Sequence, residues 1–62
     1  MKPVKILYTN YRGETSVRNI LPKKLYFGST EYHKDEQWLL LADDLDKNEE
    51  RTFAMKDVNS WF

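Results

Sequence analysis

The chain has 62 residues, with ten Lys or Arg balanced by ten Asp or Glu, one histidine and no cysteine; 40% of it is hydrophobic and 15% aromatic. That length allows one domain, residues 1–62, which buries only roughly 60% of its unfolded surface, and the missing cysteine excludes disulfides and thiolate metal sites. The longest apolar run is the five residues Trp38 to Ala42, too short to span a membrane, and Met1-Lys2-Pro3-Val4-Lys5 lacks a signal peptide's apolar region, so a soluble cytoplasmic protein is expected.

Val4, Ile6 and Tyr8 alternate with Lys5, Leu7 and Thr9, a period-2 strand rich in β-favouring side chains. Asn10-Tyr11-Arg12-Gly13-Glu14 reads as a hairpin connection, with Asn opening the turn and Gly13 supplying a positive φ. A second strand follows over Thr15 to Leu21. Val17 and Ile20 cannot share one face of a regular strand, so a bulge or bend is expected between them. Pro22 cannot donate to a ladder and belongs at an edge or a break. Lys23 to Gly28 resumes extended structure, and Glu31 to Asp35 is a polar loop.

The most apolar strand runs from Gln37 to Ala42. Trp38, Leu40 and Ala42 point one way and Leu39 and Leu41 the other, so this strand should be central and covered on both sides. Trp38 is expected to anchor the core. Asp43 to Glu50 is an acidic hairpin loop by composition, and Arg51 to Met55 is a last strand. Lys56 to Ser60 is read as a short helical turn. Trp61 and Phe62 either cap one end of the core or form an exposed apolar patch. No segment of about ten residues keeps a helical apolar period. Five short strands between turn signals indicate an all-β barrel or sandwich.

Little here points to catalysis. His33 sits in a polar loop, and a lone histidine without cysteine builds no ordinary structural zinc site. No serine lies in a nucleophile elbow, and Gly13 and Gly28 are too far apart for a phosphate-binding loop. The acidic run Asp43, Asp44, Asp46, Glu49, Glu50 lacks the spacing of a calcium loop. The expectation is a non-enzymatic protein with no catalytic residues, metal or cofactor.

Charge is distributed unevenly. Residues 1–24 hold six Lys or Arg and one acid, a surplus of five positive charges; residues 25–62 hold four and nine, a surplus of five negative ones. The two halves either neutralise each other on folding or present a basic face to an anion. Tyr8, Tyr11, Arg12, Arg18, Lys23, Lys24, Tyr26 and Arg51 combine cations with rings. That combination binds single-stranded nucleic acid through stacking and phosphate neutralisation.

The ordered segments resemble a WYL domain, a family found mostly in bacterial transcriptional regulators. They are the tyrosine strand Val4-Lys5-Ile6-Leu7-Tyr8, the turn Asn10 to Glu14, the arginine strand Arg18-Asn19-Ile20-Leu21-Pro22, the strand Lys24-Leu25-Tyr26-Phe27-Gly28, the triplet Trp38-Leu39-Leu40 followed by Ala42-Asp43, and the segment Arg51-Thr52-Phe53-Ala54-Met55-Lys56-Asp57-Val58. The resemblance covers nearly the whole chain. It implies an Sm-like, SH3-like five-stranded barrel and a role in ligand sensing or nucleic-acid binding, usually beside a helix-turn-helix. Leu39 replaces the triplet's tyrosine, and no helix-turn-helix is present, so a minimal stand-alone version is expected.

The sequence-based expectation is therefore a WYL-like, regulatory binding module, monomeric or a weak homodimer. Its partner is single-stranded nucleic acid or a nucleotide-like anion. The expected contacts are Tyr8, Arg12, Arg18, Lys23, Lys24, Tyr26 and Arg51. The resemblance singles out Arg18 and Arg51 as anion contacts, with Arg51 alternatively pairing with Asp43 or Asp44. The competing reading is a protein-interaction adaptor using a strand edge or the Trp61–Phe62 end.

Overall fold

A computed structural model describes residues 2–62. The strands are β1 (Val4–Thr9), β2 (Thr15–Gly28), β3 (Gln37–Asp44), β4 (Glu49–Ala54) and β5 (Val58–Trp61), with a 3-10 turn at Met55–Asp57. They form one five-stranded antiparallel sheet in the order β4-β3-β2-β1-β5. The fold is all-β with almost no helix, as expected from the lack of a helical period. Among the described residues no helix is long and apolar enough to cross a membrane.

The count of five strands holds with different members. The two strands expected on either side of Pro22 are one 14-residue strand, β2. Its first part, Thr15 to Ile20, pairs with β1, and Ile20 to Gly28 pairs with β3. The register slips between Pro22 and Lys24, so Lys23 is the extra residue of a bulge. Pro22 fits there because β1 has already ended, at the Val4–Ile20 pair, and no partner needs its missing N–H. The bulge expected between Val17 and Ile20 is unnecessary: Val17 is exposed while Ile20 is fully buried. The fifth strand is Val58–Trp61, in the segment read as helical; the helical turn lies earlier, at Met55–Asp57.

The hydrogen-bond ladder does not close. The turn at Met55–Asp57 separates β4 from β5, and β5 then pairs with β1, leaving β4 and β5 at opposite ends of the order. The sheet is nevertheless strongly curled. Residues opposed across a ladder share a face, and one face gathers Ile6, Tyr8, Ile20, Leu40, Ala42 and Phe53 into a buried cluster. Val4, Met55 and Val58 pack against it. Tyr8 and Phe53 meet edge to face, with ring centroids 4.9 Å apart, although two strands lie between β1 and β4 in the sheet.

The turns follow their chemistry. Asn10 Oδ1 accepts the N–H groups of Arg12 and Glu14 at 2.9 and 3.0 Å, and Gly13 takes φ of 80°. The acidic connection is tighter than composition implied. Its strands extend through Asp44 and from Glu49, with Asn48 accepting φ of 55° in the turn. Thr30 Oγ1 accepts the N–H groups of Tyr32 and His33 in the β2–β3 loop.

β3 is covered on both faces, since Leu39 and Leu40 are both buried. Trp38 departs from expectation. It is 55% exposed, packed edge to face on an equally exposed Phe27 at 5.4 Å. The reason is its position near the end of β3, beyond the reach of β1; β4 stops at the Leu39–Ala54 pair. Phe53, 2% exposed, holds the place expected of Trp38. Phe53→Ala is predicted to destabilise by about 3–5 kcal/mol, and Trp38→Ala by only about 1 kcal/mol, the scale of an aromatic pair. Urea melts of both variants check this, and equal losses would contradict the assignment.

Candidate binding cleft

A cleft of about 800 Å³ opens beside β4. Tyr8 and Phe53 are its buried members. Arg18 of β2 and Arg51 of β4 bring guanidinium groups to it. Tyr11 from the β1–β2 turn and Tyr32 from the β2–β3 loop complete it, 89% and 85% exposed. His33 Nε2 lies 3.3 Å from the carbonyl oxygen of Thr52, which ties the β2–β3 loop to β4. Glu31, Glu49 and Glu50 also line the cleft, so it is mixed in charge rather than uniformly basic.

Of the seven residues read from the sequence as binding candidates, the cleft gathers Tyr8, Arg18 and Arg51. Tyr8 is a core residue whose hydroxyl accepts the Ala54 N–H at 3.2 Å, so its ring is not free to stack on a base. Arg12 projects from the β1–β2 turn with its guanidinium 5.6 Å from the Tyr11 ring. Lys23, at the bulge, is bound to Glu50 at 2.9 Å and Asp43 at 3.1 Å. These two bonds raise its pKa. Lys24 and Tyr26 lie opposite Leu41 and Leu39, on the face away from the core cluster, with Lys24 Nζ 5.6 Å from the Tyr26 ring. The seven therefore do not form one surface, because the extra residue at Lys23 shifts the alternation of β2 and sends Lys24 and Tyr26 the other way from Arg18.

The two arginines of the cleft differ in availability. Arg18 is enclosed: its side chain is 15% exposed, Nη1 is 3.7 Å from the buried Asp44 Oδ2, and its Cζ is 6.0 Å from the Tyr8 ring centroid. Asp44 Oδ1 in turn accepts the N–H groups of Asp46 and Lys47 and so shapes the β3–β4 turn. Arg51 pairs with Glu49 of its own strand at 3.1 Å, with side chains 40% and 56% exposed, rather than with Asp43 or Asp44. An exposed pair of this kind contributes only about 0–1 kcal/mol, so Arg51 is readily released to a competing anion.

The positive surplus of the first 24 residues is partly consumed. Arg18 and Lys23 pair with acids from the second half, and Asn19 donates to both carboxylate oxygens of Asp46. Among the described residues no ion pair forms at Lys5, Arg12 or Lys24. Tyr11 and Tyr32 carry the sequence signal that matters most for the cleft. A large ring in a polar turn has no core to enter, so its exposure is set by the turn itself.

Two predictions follow from these contacts. Asp44→Ala strips a buried partner from Arg18 and is expected to cost about 3–5 kcal/mol; Asp44→Asn, which keeps the turn acceptor, should cost less. Denaturant melts distinguish them, and a loss within about 0.5 kcal/mol for Asp44→Ala would remove the pair from the stability of the turn. Burial pushes the Tyr8 hydroxyl above its ordinary pKa of 10.0, outweighing the Ala54 N–H bond that favours the phenolate. The unfolded chain thus loses this proton first. The Tyr8 contribution is complete below about pH 10 and declines as pH rises through the folded value. Stability of the wild type should fall more steeply above that pH than stability of Tyr8→Phe; parallel pH curves would refute it.

No protein-family model matches the chain, and no curated protein or solved structure matches it.

Proposed function

We propose that this chain is a small non-enzymatic, WYL-like regulatory binding module whose cleft takes a nucleotide-like anion, free or at the end of a single strand of nucleic acid. The observation that carries this reading is the convergence of Arg51 with two exposed tyrosines, Tyr11 and Tyr32, on one cleft. A base or similar planar group stacks on a tyrosine ring, and the anionic group takes Arg51 from Glu49. Tyr8 and Arg18 support the cleft from beneath. The acids that share it weigh against a long nucleic-acid track and favour a compact ligand with one concentrated anionic group.

The SH3-like barrel reading draws support from the curl of the sheet, the long β2 shared by both halves and the 3-10 turn before the last strand. The segments that carry the WYL resemblance run in order along β1, the β1–β2 turn, β2, β3, and β4 with the 3-10 turn up to the start of β5. The alternative, a protein-interaction adaptor, draws on the exposure of Trp61 and Phe62, at 49% and 69%.

An amide NMR titration with adenosine monophosphate, and then with a short mixed single-stranded DNA, tests the cleft. Shifts are expected at Tyr11, Tyr32, His33 and Arg51, weakening as salt is raised. Arg51→Ala should weaken binding about tenfold or more, the value of a hydrogen bond to a charged group. Glu49→Gln should strengthen it by removing the competitor. A flat response, or shifts confined to Lys24 and Tyr26, would refute the cleft as the binding site.

A further inference from the structure

Among the described residues, the second part of β2 has a partner on one side only. Leu21 to Gly28 pairs with β3, while β1 ends at the Val4–Ile20 pair. The edge from Lys24 to Gly28 is thus open. It differs from the other edges of the sheet. β4 ends the sheet with Glu49, Glu50 and Arg51 along its edge, and β5 has only four residues; charge and shortness are both devices that discourage strand addition. The β2 edge carries Leu25 and Phe27, each 55% exposed, and Trp38 across from Phe27 extends them at 55% exposure.

We propose that this edge pairs antiparallel with the same edge of a second copy of the chain. The sequence of the edge is complementary to itself about Tyr26. In that two-fold register Leu25 of one copy opposes Phe27 of the other on the apolar face, so Leu25, Phe27 and Trp38 of both copies join in one cluster. On the other face Lys24 opposes Gly28, against which the Tyr26 ring of the same chain lies. Charge fits the same direction. Lys24 begins the edge, and the loop beyond Gly28 carries Glu31, Asp35 and Glu36 against Lys34. Antiparallel pairing sets each copy's lysine beside the other's acidic loop, whereas parallel pairing sets the two acidic loops side by side. A five-residue ladder with this cluster is a small interface, so association is weak and concentration-dependent. The proposed edge and the cleft share the β2–β3 loop through Glu31, but none of Lys24 to Gly28 lines the cleft.

Sedimentation velocity of the full chain from about 10 µM to about 1 mM tests it, together with isotope-filtered NMR on a mixed labelled and unlabelled sample. The expected result is a reversible dimer with intermolecular backbone contacts centred on Tyr26. Phe27→Lys, at an exposed position, should weaken it about tenfold or more while lowering the melting temperature of the dilute protein no further than Trp38→Ala does, since both break the same ring pair. Lys24→Glu should also weaken it, and Trp61→Lys should leave it unchanged. A monomer at every concentration overturns the proposal. So does a dimer that survives Phe27→Lys, or one that Trp61→Lys abolishes.

Discussion

Tyr8 against Phe53 is the contact on which the shape depends. The two residues sit on strands separated by two others in the sheet, yet their rings meet edge to face and the Tyr8 hydroxyl receives the Ala54 N–H. An open antiparallel sheet of five strands has no reason to curl this far unless its two arms are held. The ring pair supplies dispersion and apolar burial, and the hydrogen bond satisfies an N–H buried at the end of β4. In a chain of this size few other contacts exist to replace it. The cleft follows from the same contact, because Arg18, two residues from the core residue Ile20, and Arg51, two residues from Phe53, are carried inward with the core.

Lys23 is what lets one strand serve both arms. A regular 14-residue strand would keep a single register and a gentle twist. The extra residue at Lys23 and the proline before it break the ladder locally and increase the bend. Lys23 itself is held by Asp43 and Glu50 on neighbouring strands, so the bend is fastened across β3 to β4. The far half of β2 lacks a partner on one side because β1 ends earlier, at the Val4–Ile20 pair.

Electrostatics here mainly organise the fold. The opposite charges of the two halves meet at Arg18–Asp44 and at Lys23 with Asp43 and Glu50, and the acidic turn is shaped by Asp44 accepting backbone N–H groups. Within the cleft one loosely paired arginine, Arg51, remains beside the exposed rings of Tyr11 and Tyr32. Few free charges suit the proposed ligand, a compact anion with a planar part, better than a long polyanion.

By itself the sequence determined that the chain is all-β, where the first hairpin turn lies and which strand is covered on both faces. These are local matters: alternation along Val4 to Thr9, the Asn10–Gly13 turn, and the Leu39–Leu40 pair that has no solvent face. It also placed Tyr8, Arg18 and Arg51 among the residues of interest. Only the tertiary structure decided that Trp38 lies outside the core and Phe53 inside, since both are large rings in strands and only neighbours across the sheet distinguish them. The tertiary structure also fused two expected strands into β2, found β5 in Val58–Trp61, and sent Lys24 and Tyr26 away from the arginines. Each of these depends on register, and register is set by which strand lies alongside, at separations of tens of residues that no local pattern encodes.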